Sequence, residues 1–110
     1  MTISETRRTT DALKLTLAGR LDSAGAETLR SALEPGKIHG LKSVELELAG
    51  VNYLSSSALR VFLAVHKLLA ERGGGLRLSA VSEYCRSVLE IAGFAGMFDA
   101  GGGEAGDSGP

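Results

Sequence analysis

The chain has 110 residues, of which 44% are hydrophobic and 23% charged, and its formal net charge at pH 7 is −1. This length suffices for one domain with a modest core but not for two. A net charge near zero gives no electrostatic reason to expect nucleic acid or an anionic membrane as the main partner.

The N-terminal part of the chain predicts strands followed by a helix. Residues 1–12 contain one clear apolar anchor and indicate a frayed or edge strand. Over residues 13–17, leucines alternate with polar side chains, which is typical of a half-buried strand. Asp22 or Ser23 can then cap an amphipathic helix that ends before Pro35.

The middle of the chain, VELELAGVNYLSSSALRVFLAVHKLL over residues 44–69, is its most informative stretch. Apolar residues alternate with glutamates over 44–48, which predicts a strand with one buried face. A glycine and an asparagine then break the alternation. From Ala58 the apolar positions follow helical spacing, so Ser55 or Ser56 is the natural N-cap of a long helix.

The C-terminal part predicts one more strand, one more helix and a tail. Three glycines at 73–75 indicate a turn, alternation over 76–80 predicts a strand, and Ser82 can cap a last helix. Five of the last ten residues are glycine, and none of these ten is a large apolar residue. We therefore expect a folded domain over 1–99 and a disordered tail over 100–110.

The strands carry polar residues at alternate positions, which indicates a sheet covered mainly on one face. Strands separated by helices must cross over, so part of the sheet should be parallel. The predicted fold class is therefore α/β (α+β), with a mixed sheet of four to five strands and three to four helices packed mainly on one face.

The targeting and redox features predict a cytoplasmic protein. The opening MTISETRRTT has no apolar run, and His66 and Lys67 interrupt the longest apolar stretch, so we expect neither a signal peptide nor membrane insertion. The single cysteine, Cys85, cannot form an internal disulfide, which fits a reducing compartment. Its position in an apolar helical pattern indicates a core side chain rather than a reactive thiol.

The residues that could carry catalysis do not form a catalytic pattern. His66 follows Ser56 by ten residues on one helix, about 15 Å along the axis, which is too far for a general base. Glu45 and Glu47 are about 7 Å apart on one strand face, where carboxylates are usually just solvated. His39 lies in a linking segment and leaves a small opening for catalysis. Metal-ligand spacing is missing, so we predict no enzyme, no metal and no cofactor.

The three serines at 55–57 have two interpretations. They can simply cap the helix and fill the turn, which is the commonest role of serine at this position and the one that spacing alone favours. A phosphate on one of them would also be stabilised, because the amides and the dipole of a helix start attract anions.

The segment YLSSSALRVFLAVHKLL resembles the phosphorylation-site segment of the STAS domains found in bacterial anti-sigma factor antagonists. GRLDSAGAETLRSAL is similar to the Gly-x-Leu-Asp turn and helix of that family, and GGGLRLSAVSEYCRSVLEIAGFAGMF to its final strand and helix. The resemblance covers residues 10–99 and implies the STAS fold, whose order of strands and helices matches the one predicted above.

The resemblance also implies site residues. Ser56 falls on the phosphorylated serine, Ser55, Ser57 and Ala58 fall on the residues around it, and Asp22 falls on an acidic residue close to the phosphorylation loop. We expect these five residues to contact the partner. Ser55 replaces a frequent Asp, and Ala58 replaces a Gly, which adds a methyl group where a kinase approaches.

The function implied by the resemblance is that of an anti-anti-sigma factor, a bacterial phosphoprotein that regulates transcription by partner switching. In that family the unphosphorylated domain binds an anti-sigma factor that is also an ATP-dependent serine kinase, and phosphorylation breaks the complex. A phosphatase is a further expected partner, direct nucleic-acid binding is not expected, and the domain should be a monomer or weak dimer. The alternative is an unswitched STAS scaffold subunit of a signalling or lipid-transport assembly.

Overall fold

The computed structural model describes residues 1–93. The elements follow the chain in the order β1 Thr2–Arg8, β2 Ala12–Leu21, α1 Ser23–Ala32, β3 Ser43–Leu54, α2 Ser56–Ala70, β4 Gly75–Ser79 and α3 Glu83–Ile91. The predicted disordered tail over 100–110 and the last residues of the predicted domain lie outside the described residues.

The four strands form one mixed sheet in the order β1-β2-β3-β4. β1 is antiparallel to β2, whereas β2, β3 and β4 are parallel neighbours. Helices α1 and α2 make the two crossovers, α1 packs on α2, and α3 packs on β3. The predicted fold class is confirmed, with four strands and three helices among residues 1–93.

The core lies between the helices and one face of the sheet. Alternate residues of β2, β3 and β4 are buried there, and their largest fully buried partner from α2 is Phe62. Edge strand β1 is exposed at nearly every position, so its place in the sheet depends on backbone pairing with β2.

The opposite face of the sheet is polar, and several of its side chains make cross-strand contacts that the alternating pattern did not predict. Lys14 and Glu45 form an ion pair at 3.6 Å, and the Thr16 hydroxyl donates to Glu47 Oε1 at 3.2 Å. All four side chains are half-buried. The expectation that the two glutamates are simply solvated is therefore wrong, because both tie β3 to β2.

Strand β3 is longer than predicted and runs through Gly50 to Leu54. Its alternation breaks because the register with β2 shifts there, which leaves two consecutive residues exposed. A Cβ atom at Gly50 would lie 3.0 Å from the Ala18 Cβ, so this glycine lets the two strands approach closely. The break in the pattern marks an irregularity within the strand, not its end.

The segment between α1 and β3 is held against the core. Ile38 and Leu41 are buried, as the sequence predicted. Arg72, just beyond α2, donates through Nη1 to the carbonyl oxygens of both residues, at 2.8 Å and 2.9 Å. Since Arg72 follows Ile38 by 34 residues and Leu41 by 31, this contact joins the two halves of the domain.

Candidate phosphorylation and partner-binding site

Two parallel strands end side by side at the carboxyl edge of the sheet, and a helix starts directly after each. Leu21 of β2 pairs with Leu54 of β3, and the Ser55 backbone N–H donates to the Leu21 carbonyl at 2.9 Å. The next residue of each chain segment, Asp22 or Ser55, is the N-cap of the following helix. The positive dipole ends of α1 and α2 therefore lie next to each other.

The two caps are made by side chains that the resemblance placed in the site. Asp22 Oδ1 accepts from the Gly25 N–H at 2.9 Å, and Ser55 Oγ accepts from the Ala58 N–H at 3.1 Å. This decides both open alternatives, because Asp22 rather than Ser23, and Ser55 rather than Ser56, is the cap. Each cap satisfies one of the amides that a helix start leaves unpaired.

Gly25 is required by the close approach of β2 to α1. It is buried, and a Cβ atom there would lie 2.6 Å from the Arg20 carbonyl oxygen. Helix propensity predicts that a glycine weakens the first turn of α1, but a side chain at this position would displace the turn that carries Asp22.

The three positions after the cap of α2 differ in exposure. Ser56 is the first helical residue and is exposed, Ser57 is half-buried, and Ala58 is completely buried. Ser56 is thus accessible to an enzyme. Two expectations for Ala58 are wrong, because its methyl group is buried in the core: it does not narrow the approach of a kinase, and its side chain cannot contact a partner.

A groove runs between α1 and α2 from the serine turn toward the other end of the helices. It encloses about 390 Å³. Its lining combines two serines near the starts of the helices, charged side chains, and small or apolar side chains. The serines are Ser23 and Ser57, the charged residues are Glu27, Arg30, Glu34 and Arg60, and the small or apolar residues include Ala26, Leu33, Val61, Ala64, Val65 and Leu68. Sequence reasoning did not find this groove, because it depends on how α1 and α2 pack.

Two arginines lie near the serine turn. Arg20 stacks its guanidinium over the Tyr53 ring, 4.2 Å from the ring centroid, on the strand pair that leads into the turn. Arg60 lies four residues after Ser56 on α2 and is exposed. The spacing of four between Ser56 and Arg60 is the one signal in the sequence that could have added Arg60 to the site.

Of the other residues that could carry chemistry, His66 and Cys85 make structural contacts. His66 Nδ1 accepts from the Leu76 N–H at 3.1 Å, which fastens α2 to β4. Cys85 is buried, its Sγ donates to the Val51 carbonyl at 3.6 Å, and burial raises the pKa of its thiol. His39 is exposed in the segment before β3.

Residues 1–93 contain neither a cluster of metal ligands nor a membrane-spanning helix. In this part of the chain, no group of three or more His, Cys, Asp or Glu side chains could hold a metal ion. None of the three helices within it is long and apolar enough to cross a membrane.

The model of the family described as "Mlab, STAS domain" matches residues 4–99. The chain therefore belongs to the STAS domain family. Solved structures agree with this assignment of the fold. SpoIIAA in its unphosphorylated form aligns with a TM-score of 0.76 at 18% identity, over 86% of this chain and 83% of that one. The phosphorylated form of SpoIIAA from Bacillus aligns with a TM-score of 0.65 at 20% identity, over 84% and 85%.

Two relatives in sequence are described as anti-sigma factor antagonists, the class of protein that the resemblance predicted. BtrV of Bordetella bronchiseptica, assigned to that class, is 39% identical over 82 residues, which span 74% of this chain and 71% of BtrV. The anti-sigma-B factor antagonist of Bacillus subtilis is 30% identical over 87 residues, which span 79% of each chain.

Proposed function

We propose that this protein binds an anti-sigma factor that is also a serine kinase, thereby frees a sigma factor, and is released when Ser56 is phosphorylated. It acts in the cytoplasm without catalysis of its own, and a phosphatase restores the binding form. One observation carries the proposal: among the three serines and Ala58, Ser56 alone is exposed, at the first position of α2.

The neighbours of Ser56 explain why its hydroxyl is the natural acceptor. Ser55 uses its oxygen to cap α2, and modification there would cost the helix its cap. Ser57 is half-buried against the groove between α1 and α2. Ser56 can receive a phosphate without loss of either contact.

The physical effect of a phosphate at Ser56 falls on the surface and not on the fold. A phosphoserine adds about −1.5 to −2 charges at neutral pH. Negative charge at a helix start is favourable by about 0.3–1 kcal/mol, so α2 should remain intact. A partner that docks across the starts of α1 and α2 would meet new charge and bulk, and the complex should dissociate. Both forms of SpoIIAA share this fold, which supports a switch that leaves the fold in place.

A second candidate is the unswitched scaffold subunit of a signalling or lipid-transport assembly. One residue favours it: Ser55 stands where the antagonists often have Asp. In this case the same surface would hold a partner permanently, and Ser56 would remain unmodified.

The test uses the full chain, a purified candidate anti-sigma factor kinase and ATP. Mass spectrometry should find one phosphate, on Ser56. Ser56→Ala should prevent labelling but keep binding, because it removes the acceptor oxygen without adding charge. Ser57→Ala is the matched control and should still be labelled.

Binding is measured in parallel by pull-down and by titration calorimetry. Ser56→Asp should weaken binding to the kinase although its thermal unfolding stays close to that of the wild type. Recovery of an ATPase of the histidine-kinase type supports the proposal, and recovery of a transporter ATPase favours the scaffold. Labelling of Ser56→Ala to the wild-type extent would disprove the assignment of the acceptor.

A further inference from the structure

The position of Arg60 relates it directly to Ser56. The two residues are four apart on α2, so their side chains share one face of the helix, with Cβ atoms about 5–6 Å apart. Helical side chains lean toward the N-terminus of their helix, so we expect the guanidinium of Arg60 to be able to reach back toward the turn that carries Ser56. Both side chains are exposed.

Within the described residues, no polar contact holds the guanidinium of Arg60. In the region from residue 1 to residue 93, the side chain of Arg60 takes part in no ion pair or hydrogen bond. Glu27 lines the same groove from α1, but its carboxylate is held by Arg30. Glu34 contributes to the electrostatic field at Arg30.

We propose that Arg60 is the intramolecular partner of the phosphate on Ser56. An anionic group four residues before a cation is the favourable order on a helix, and a guanidinium can bind two phosphate oxygens at once. The inference rests on the proposed function in one respect, the choice of Ser56 as the phosphorylated residue.

The pairing has a consequence for the docking surface. Arg60 lines the groove between α1 and α2, and in the unmodified protein its charge is available to a partner. Once Ser56 carries a phosphate, the same guanidinium is engaged within the protein. Phosphorylation would then remove one positive charge from the groove wall as well as add negative charge at the helix start.

The experiment installs phosphoserine at position 56 of the full chain during translation, so no kinase is needed. A ³¹P NMR titration then measures the second pKa of the phosphate, which is about 6 for an unperturbed phosphoserine. Arg60→Gln should raise this pKa by about 0.3 unit relative to the phosphorylated wild type, the size that a helical charge pair produces. Arg60→Lys should restore part of the difference.

Lys67→Gln is the matched control, because it removes the same charge from an exposed position on α2. It lies about 16 Å along the helix from Ser56, so its effect on the titration should be less than about 0.1 unit. Equal pKa values in the wild type and Arg60→Gln would overturn the proposal. Equal shifts in Arg60→Gln and Lys67→Gln would also overturn it, since they would show a general charge effect.

The two proposals fail separately in these experiments. If the natural kinase does not label Ser56, the proposed function fails, although the titration still reports the pair. If the kinase labels Ser56 and Arg60→Gln leaves the titration unchanged, the proposed function stands and the role of Arg60 is refuted. Circular dichroism of each variant verifies that the fold is intact.

Discussion

The contact between Arg72 and the segment before β3 predicts a large effect of one substitution. Arg72 Nη1 donates to the Ile38 and Leu41 carbonyl oxygens. In Arg72→Gln, the glutamine side chain is too short to reach them. A hydrogen bond from a charged group contributes about 1.5–3 kcal/mol. Both hydrogen bonds come from one nitrogen of a half-buried side chain, so their contributions do not simply add. We therefore expect Arg72→Gln to lower the free energy of unfolding by about 2 kcal/mol.

This loss is measured by urea and thermal unfolding, followed by circular dichroism. For a domain of this size, 2 kcal/mol corresponds to a decrease in Tm of about 8–16 °C. Limited proteolysis should also cut residues 33–42 faster, because the segment is less firmly held. Lys67→Gln, an exposed charge change on α2, serves as the control. A difference of less than about 0.5 kcal/mol between Arg72→Gln and Lys67→Gln would show that the two hydrogen bonds do not stabilise the domain as expected.

Two further predictions concern the core. Phe62 is fully buried, so Phe62→Ala should lower the free energy of unfolding in urea by about 3–5 kcal/mol, whereas exposed Arg60→Ala should change it by less than about 0.5 kcal/mol. Equal losses would mean that the burial of α2 is misassigned. Because burial raises the pKa of Cys85, the thiol should react with a thiol reagent upon unfolding but not in the folded protein. The unfolded thiol ionises at lower pH than the folded one, so the free energy of unfolding should also fall as the pH rises above about 8.5. A free energy of unfolding that does not change with pH in this range would contradict this expectation.

The fold was largely predictable because its core elements have regular periods. The leucines of β2 and the apolar stripe of α2 follow the spacings of a strand and a helix, and they are buried as predicted. The end of β3 was not predictable, because the register shift near Gly50 interrupts the alternation without ending the strand. The contacts of His66 and Arg72 were also missed. Their partners are backbone groups of distant residues, which leave no side-chain pattern in the sequence.

The site was predictable in position but not in detail. The serine turn could be located at a helix start from local spacing, and Asp22 could be placed near it through the family resemblance. Which serine caps α2 and which one is exposed depends on the backbone geometry of the turn. The sequence alone does not distinguish these alternatives, because three serines follow one another. The inward direction of the Ala58 side chain depends on the rotation of α2 against the sheet.

The paired ends of β2 and β3 limit how the chain can change in length. Leu21 and Leu54 are cross-strand neighbours, and each helix is capped by the very next residue. One inserted residue after Leu54 would turn every later position of α2 by about 100° relative to the sheet. Ser56 would leave its exposed position, and Phe62 would leave the core. We therefore expect these turns to accept many substitutions but no insertions or deletions, in contrast to ordinary surface loops.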